Sequence, residues 1–269
     1  MKKISFIVIL FTFAFVSCGE YQKIVKSTDS ELKYDKAVEY FQAKKYAKAI
    51  ILFDDVSTAF RGTDRSELIL NYLAKAYLEQ KDYYSASDYY QTYVKSYPKG
   101  RFIQEAKYMV GYCYYKDSPD TRLAQDATHK AVNALQNFLD EFPDSERAKD
   151  ALKLMDELNN KLAKKYYLNA KLYYNLGTYM GNNYYAAAIT AENGLKKYPA
   201  NSYREEFMIL ILQSKYQEAS ISLDEKKQDR FQSVVDEYYN YTNEFPEGKY
   251  IKDANKIFQA AKKEVDKSN

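Results

Sequence analysis

The sequence predicts an all-α fold, a right-handed superhelical solenoid of about five helix pairs. Three observations carry this prediction. Four segments end alike: Ser96-Tyr97-Pro98-Lys99-Gly100, Glu141-Phe142-Pro143-Asp144-Ser145, Lys197-Tyr198-Pro199-Ala200-Asn201 and Glu244-Phe245-Pro246-Glu247-Gly248. Phe60-Arg61-Gly62-Thr63 is a fifth copy without its Pro. Pro cannot continue a helix and small polar residues cap the next one, so each copy marks a helix end and a helix start. Between copies, apolar residues recur at helical spacing, with no strand-like alternation. The chain also holds only 8 Gly and 5 Pro in 269 residues, as continuous helices require.

Residues 1–17 form the first element. Lys2 and Lys3 precede an apolar stretch from Ile4 to Val16. It is too short for the roughly 20 apolar residues of a membrane span and fits the apolar region of a secretory signal. Phe15-Val16-Ser17-Cys18 resembles a bacterial lipobox, which makes Cys18 the lipidated first residue of the mature chain. Gly19 follows, without the Asp that favours inner-membrane retention, so the expected destination is the outer membrane. No acidic cluster follows Cys18, which favours the periplasmic leaflet. Residues 18–30 are expected to be an extended, lipidated tether.

Residues 31–145 hold repeats one to three. The aromatic of each signature follows the previous one by 37, 45, 56 and 47 residues, longer than the tetratricopeptide (TPR) period of about 34. In repeat one, Ala37 and Tyr40 face Ala49, Phe53 and Val56 across the Lys44-Lys45-Tyr46 turn. In repeat two, Leu70, Leu73, Ala74 and Tyr77 face Ala86, Tyr90 and Tyr93. Small Ala74 and Ala86 let two helix backbones approach. Repeat three pairs Gly111 and Tyr114 with Ala131, Leu135 and Phe138, and Pro119 forces a loop between its helices. Residues 146–269 hold repeats four and five and a closing helix. One helix from Arg147 to about Tyr179 keeps Leu152, Met155, Leu158, Leu162 and Tyr166 in helical spacing. A turn follows near Gly181-Asn182-Asn183. The fifth repeat runs from Arg204 to Phe245, and the last helix from Tyr250 to Val265.

Composition excludes several function classes. Lys and Arg total 40 against 37 Asp and Glu, which lacks the basic excess of a nucleic-acid binder. Beyond Cys18, Cys113 is the only cysteine and His129 the only histidine, so no internal disulfide, cysteine-based zinc site or paired-His metal site is expected. His129 is expected on an exposed helix face and Cys113 in the core, with no basic neighbour to activate it. Asp54-Asp55 and Glu205-Glu206 are sequence neighbours that do not face each other on a helix, and are expected to be solvated. There is no phosphate-binding glycine loop. The expectation is a protein that is not an enzyme and uses no cofactor or metal.

The ordered segments resemble one family. They are Glu20 to Ser27, Tyr34-Asp35-Lys36-Ala37, Tyr46-Ala47-Lys48-Ala49-Ile50 and Arg61-Gly62-Thr63-Asp64, then Phe142-Pro143-Asp144-Ser145 with Ala148-Lys149-Asp150-Ala151 and Leu162-Ala163-Lys164-Lys165-Tyr166. The whole mature chain resembles the BamD family, the TPR lipoproteins of the β-barrel assembly machinery. The resemblance implies a place on the periplasmic face of the outer membrane. It implies partners as well: the POTRA domains of a BamA-type insertase, and unfolded outer-membrane β-barrel proteins bearing an aromatic-ended C-terminal signal. Substrate is associated with the N-terminal repeats and insertase with the C-terminal ones.

In a TPR array the first helix of each repeat lines the groove. The candidate substrate-binding residues are therefore Tyr34, Val38 and Phe41; Asn71, Lys75 and Leu78; and Tyr108, Tyr112 and Tyr115. Lys75 is the candidate partner for a terminal carboxylate. The chain holds 30 Tyr and no Trp. The absence of Trp weighs against the other binding reading, a glycan-uptake lipoprotein with stacking platforms. A cell-envelope scaffold for division or peptidoglycan synthesis is the remaining alternative.

Overall fold

The computed structural model describes residues 19–267. Cys18 and the signal segment lie outside the described residues. Eleven helices follow residue 29: α1 Ser30–Gln42, α2 Tyr46–Val56, α3 Asp64–Glu79, α4 Tyr83–Ser96, α5 Ile103–Asp117, α6 Asp126–Glu141, α7 Ala148–Leu176, α8 Asn183–Lys197, α9 Arg204–Ser220, α10 Asp224–Glu244 and α11 Ile251–Lys267. No strand occurs among the described residues. The helices form the five expected pairs and the closing helix. The all-α class, with TPR-like helix pairs, therefore stands.

One expectation is corrected. Residues 19–25 are helical rather than extended. Tyr21 and Ile24 are buried in the core of the first repeats, and the Tyr21 ring meets Tyr40 edge-on at 5.5 Å. Burying two apolar side chains offsets the cost of ordering a short segment.

Contacts divide the chain into two compact units. The first comprises residues up to Ser118 and Asp126–Leu152; the second comprises Pro119–Gln125 and Lys153 onward. In the first, α1 to α6 pack each on the next. Tyr90, Tyr93, Phe53, Phe138, Leu52, Ile69, Leu73 and Leu135 are its largest fully buried side chains. The turns expected at Lys44 and Lys81 carry left-handed backbone at those residues, φ 57° and 62°. Lys45 N–H bonds to Tyr40 O at 2.8 Å and Asp82 N–H to Tyr77 O at 3.0 Å, closing each helix as a Schellman turn. Asp82 then caps α4 by accepting from Ser85 N–H. In the second unit, Lys161 and Lys165 donate to the carbonyls of Pro119 and Leu123, which fixes the loop that Pro119 imposes. Lys215 of α9 pairs with Glu192 of α8 at 3.0 Å and Glu237 of α10 at 2.7 Å.

The small-residue crossings are as expected. Ala74 and Ala86 are fully buried beside Tyr90. A Cβ on Gly111 would lie 2.7 Å from the Leu135 side chain and 3.2 Å from its backbone nitrogen, so α5 and α6 cross at glycine. Ala74→Leu is expected to destabilise the fold by about 1–3 kcal/mol through overpacking. Urea unfolding followed by circular dichroism checks this; an unchanged midpoint would remove Ala74 from the crossing.

Candidate functional site

The nine candidate residues fall into two environments. Tyr34, Val38 and Phe41 are half-buried against the core of repeats one and two. Tyr34 meets Phe53 and Phe60 edge-on at 6.1 and 5.5 Å, and Phe41 meets Tyr72 at 4.9 Å. Asn71 is buried on α3. These four lie mainly within the packing between neighbouring repeats. A helix facing the next repeat must bury the same stripe that a groove would expose, and periodicity does not separate the two.

Of the other five, Leu78, Tyr108, Tyr112 and Tyr115 cluster, while Lys75 pairs with Glu105. Tyr108 is 4% exposed, meets Phe138 edge-on at 5.5 Å and stacks on Tyr112 at 6.2 Å. Tyr115 continues the row at 6.4 Å from Tyr112, and the Lys116 ammonium lies 5.4 Å from the Tyr112 ring. Leu78, Tyr108 and Tyr112 line one cavity of about 380 Å³ together with Glu79, Lys81, Tyr83, Met109 and Arg147. The spacing of Tyr108, Tyr112 and Tyr115 on one helical face produces this row.

The cations are arranged differently from expectation. Lys75 already has a carboxylate: Glu105 Oε2 is 3.2 Å from its Nζ, and its ammonium sits 5.5 Å from the Phe102 ring. An incoming carboxylate there has to displace or share Glu105. Arg147, which sequence reasoning did not single out, holds its guanidinium 5.2 Å over Tyr108, lines the cavity and is about half exposed, with Asp150 3.6 Å away.

A positional signal for Arg147 exists. The fifth residue after each signature aromatic is Arg65, Phe102, Arg147, Tyr203 or Tyr250. Four of these pack on the first helix of the repeat before: Arg65 over Tyr34 at 4.8 Å, Phe102 under Lys75, Arg147 over Tyr108, and Tyr203 stacked on Tyr167 at 5.9 Å.

A second recurrent device is polar. Tyr93, four residues before Tyr97, donates its hydroxyl to Glu67 at the start of α3. Phe102 N–H donates to the same hydroxyl at 2.9 Å, and Arg101 N–H to Glu67 Oε1 at 2.8 Å. Tyr241, Glu205 and Tyr250 N–H repeat this in the second unit, with Oη to Oε1 at 2.8 Å. Burial first, and the neighbouring carboxylate second, raise both phenols well above the usual tyrosine range. Glu205 is therefore a structural acceptor, which corrects its reading as a solvated carboxylate. Asp54 and Asp55 are exposed, and each has a partner, Tyr89 and Lys33 respectively.

The remaining chemistry-bearing groups stand apart. His129 is exposed on α6. Cys113 is fully buried, and burial pushes its thiol up to about 12. A thiol raised so far stays protonated at neutral pH and is a poor nucleophile. Iodoacetamide is expected to label Cys113 only in denaturant; rapid labelling of the native protein would contradict its placement. No group of three or more His, Cys, Asp or Glu able to hold a metal occurs among the described residues. No helix among them is long and apolar enough to cross a membrane.

Comparison with known proteins follows the repeat architecture. The chain is 28% identical over 183 residues to the outer membrane protein assembly factor BamD of Pasteurella multocida, covering 64% of this chain and 70% of that protein. It is 25% identical over 135 residues to the protein of the same name from Caulobacter vibrioides, covering 50% of this chain and 44% of that one. Among solved structures, the TPR2AB-domain:pHSP90 complex of yeast Sti1 aligns at 14% identity with a TM-score of 0.40, over 87% of this chain and 98% of that one. The family model described as YfiO, outer membrane lipoprotein, matches residues 26–231, well over half of the sequence. The chain belongs to the YfiO family of outer membrane lipoproteins.

Proposed function

We propose that this protein is a non-catalytic assembly factor for outer-membrane β-barrel proteins. It is anchored through acylated Cys18 to the periplasmic face of the outer membrane, where its repeats hold two partners. The family match carries the reading, and both curated relatives are named as assembly factors. The first unit receives the aromatic-ended C-terminus of an unfolded barrel protein at the cavity lined by Leu78, Tyr108, Tyr112 and Arg147. Tyr faces supply stacking area, and the half-exposed guanidinium supplies a bidentate donor for a carboxylate. The second unit engages the POTRA domains of a BamA-type insertase. No cofactor or energy source takes part.

Crosslinking in cells followed by affinity capture tests the reading. Recovery of the insertase, and loss of heat-modifiable barrel proteins from the outer membrane on depletion, are the expected results. Recovery of an outer-membrane transporter or a division protein in its place would favour the glycan-uptake or scaffold alternatives. Cys18→Ala is expected to abolish the lipid-modified species in the outer-membrane fraction; a lipid-modified Cys18→Ala protein there would overturn the anchor.

A further inference from the structure

The turn joining α7 to α8 carries a surface that the proposed function does not use. No charged residue occurs from Leu172 to Ala191, in a chain that is 29% charged. Within this stretch Leu172, Leu176, Tyr179 and Tyr185 are exposed, and Met180 is 90% exposed. The turn keeps its own polar groups satisfied. Asn183 N–H bonds to Gly177 O at 3.0 Å, the Asn183 amide to Tyr179 O at 2.7 Å, and Asn182 caps α8 by accepting from Tyr185 N–H. Gly177, Met180 and Gly181 all have positive φ, at 56°, 56° and 146°. This backbone carries Tyr179 and Met180 at the tip of the hairpin. The adjoining α9–α10 tip presents Leu223, 75% exposed. The Asn182 amide reaches Glu218 near the end of α9 at 3.5 Å, so the two tips are neighbours.

The chemistry narrows the occupant. At the α7–α8 tip the partner must bury Met and Leu and tolerate tyrosine hydroxyls at its edge, with no charge to desolvate, while beside Leu223 the 95% exposed Asp224 side chain has to stay in the hydrated headgroup layer. A side chain exposed to 90% has little wall around it, so it gains burial by entering a fluid phase more readily than against a flat protein face. Tyr is enriched where a lipid headgroup layer meets the acyl region, and an uncharged segment avoids the cost of carrying charge there. Membership of an outer membrane lipoprotein family places such a surface within the protein's surroundings. We propose that the α7–α8 tip, with Leu223 beside it, inserts into the interfacial layer of a phospholipid leaflet and gives the second unit its own membrane contact.

The chain has no Trp, so Met180→Trp introduces a single fluorescent reporter. The protein without residues 1–18 retains every described helix and carries no acyl chain, so any binding is its own. It is mixed with vesicles of phosphatidylethanolamine and phosphatidylglycerol. The Met180→Trp emission is expected to shift to the blue and to be quenched by brominated acyl chains. A Tyr84→Trp reporter, at a 75% exposed site of the first unit, should do neither. Flotation of the protein with vesicles should fall at least fivefold in Tyr179→Glu/Met180→Glu, with helicity by circular dichroism unchanged. Three results would each overturn the proposal: no flotation of the parent, equal flotation of the double variant, or an unquenched Met180→Trp reporter. A blue shift that grows with protein concentration without vesicles would assign the tip to a second copy of the chain and overturn it too.

Discussion

Tyr93→Phe is expected to lower the unfolding midpoint by about 4–8 °C, a large effect for the loss of one oxygen atom. The hydroxyl donates to Glu67 and accepts from Phe102 N–H. Tyr93 is 1% exposed, and the Glu67 side chain is 15% exposed, so water cannot readily replace either bond. A hydrogen bond to a charged group contributes about 1.5–3 kcal/mol, and an orphaned buried donor costs about 1–3 kcal/mol. Near 2 kcal/mol, a chain of this size shifts by roughly 2–4 °C per kcal/mol. Tyr241→Phe should behave alike through Glu205 and Tyr250, and the two should add because they lie in different units. Phe138 occupies the equivalent place in repeat three and is fully buried without a carboxylate partner. There Phe138→Tyr is expected to destabilise, by introducing a hydroxyl where repeat two requires one. Thermal unfolding of the three variants checks this. If Tyr93→Phe matched the parent, the hydroxyl would be solvated and the repeats would be held by packing alone.

The sequence contains a trace of this device. The third residue after the signature aromatic is Gly100 or Gly248 where the residue four before it is Tyr93 or Tyr241. It is Thr63, Ser145 or Asn201 where that residue is Val56, Phe138 or Gly194. A Cβ at Gly100 would lie 2.5 Å from the Tyr93 hydroxyl, and one at Gly248 would lie 2.7 Å from that of Tyr241, so the tyrosine version requires glycine. Without the tyrosine, Ser145 and Asn201 supply the acceptor themselves, while the Thr63 hydroxyl instead donates to Phe60 O at 2.7 Å. Arg147 N–H bonds to Ser145 Oγ at 3.2 Å and Tyr203 N–H to Asn201 Oδ1 at 2.8 Å.

Helix pairs, turns and Ala crossings were legible because each rests on local periodicity and capping. The division of the first-helix face between groove and packing was not. Tyr34 and Tyr112 share a residue type and a predicted face, but Tyr34 is covered by Phe53, Phe60 and Arg65, whereas Tyr112 borders an open cavity. Which outcome holds depends on the residues that the second helix of the same repeat and the start of the next one bring over the ring. The helical assignment of residues 19–25 was missed because a seven-residue amphipathic segment has little helical stability alone and gains it by docking Tyr21 and Ile24.

Binding of a barrel-protein C-terminus should separate Arg147 from Lys75 as the carboxylate partner. The probe is a synthetic peptide matching the aromatic-ended terminus of a barrel protein from the same cell, prepared as the free acid and as the amide. Tyr112→Ala removes one wall of the cavity together with its stack on Tyr108. Aromatic contacts contribute about 0.5–1.5 kcal/mol beyond area burial, and a buried side chain adds a similar or larger amount. Both peptides are therefore expected to bind at least tenfold more weakly, tenfold being about 1.4 kcal/mol. Arg147→Glu should act on charge: the free acid loses affinity more than the amide, and the ratio between them falls toward one or below. Lys75→Gln should leave that ratio unchanged, because Glu105 at 3.2 Å already holds the ammonium. Raising the salt concentration should reduce the Arg147 effect, since the guanidinium is half exposed and screened. If Lys75→Gln collapsed the ratio and Arg147→Glu did not, the carboxylate would sit at Lys75 after displacing Glu105. If neither variant moved it while helicity was retained, the peptide would be read by its aromatic face alone.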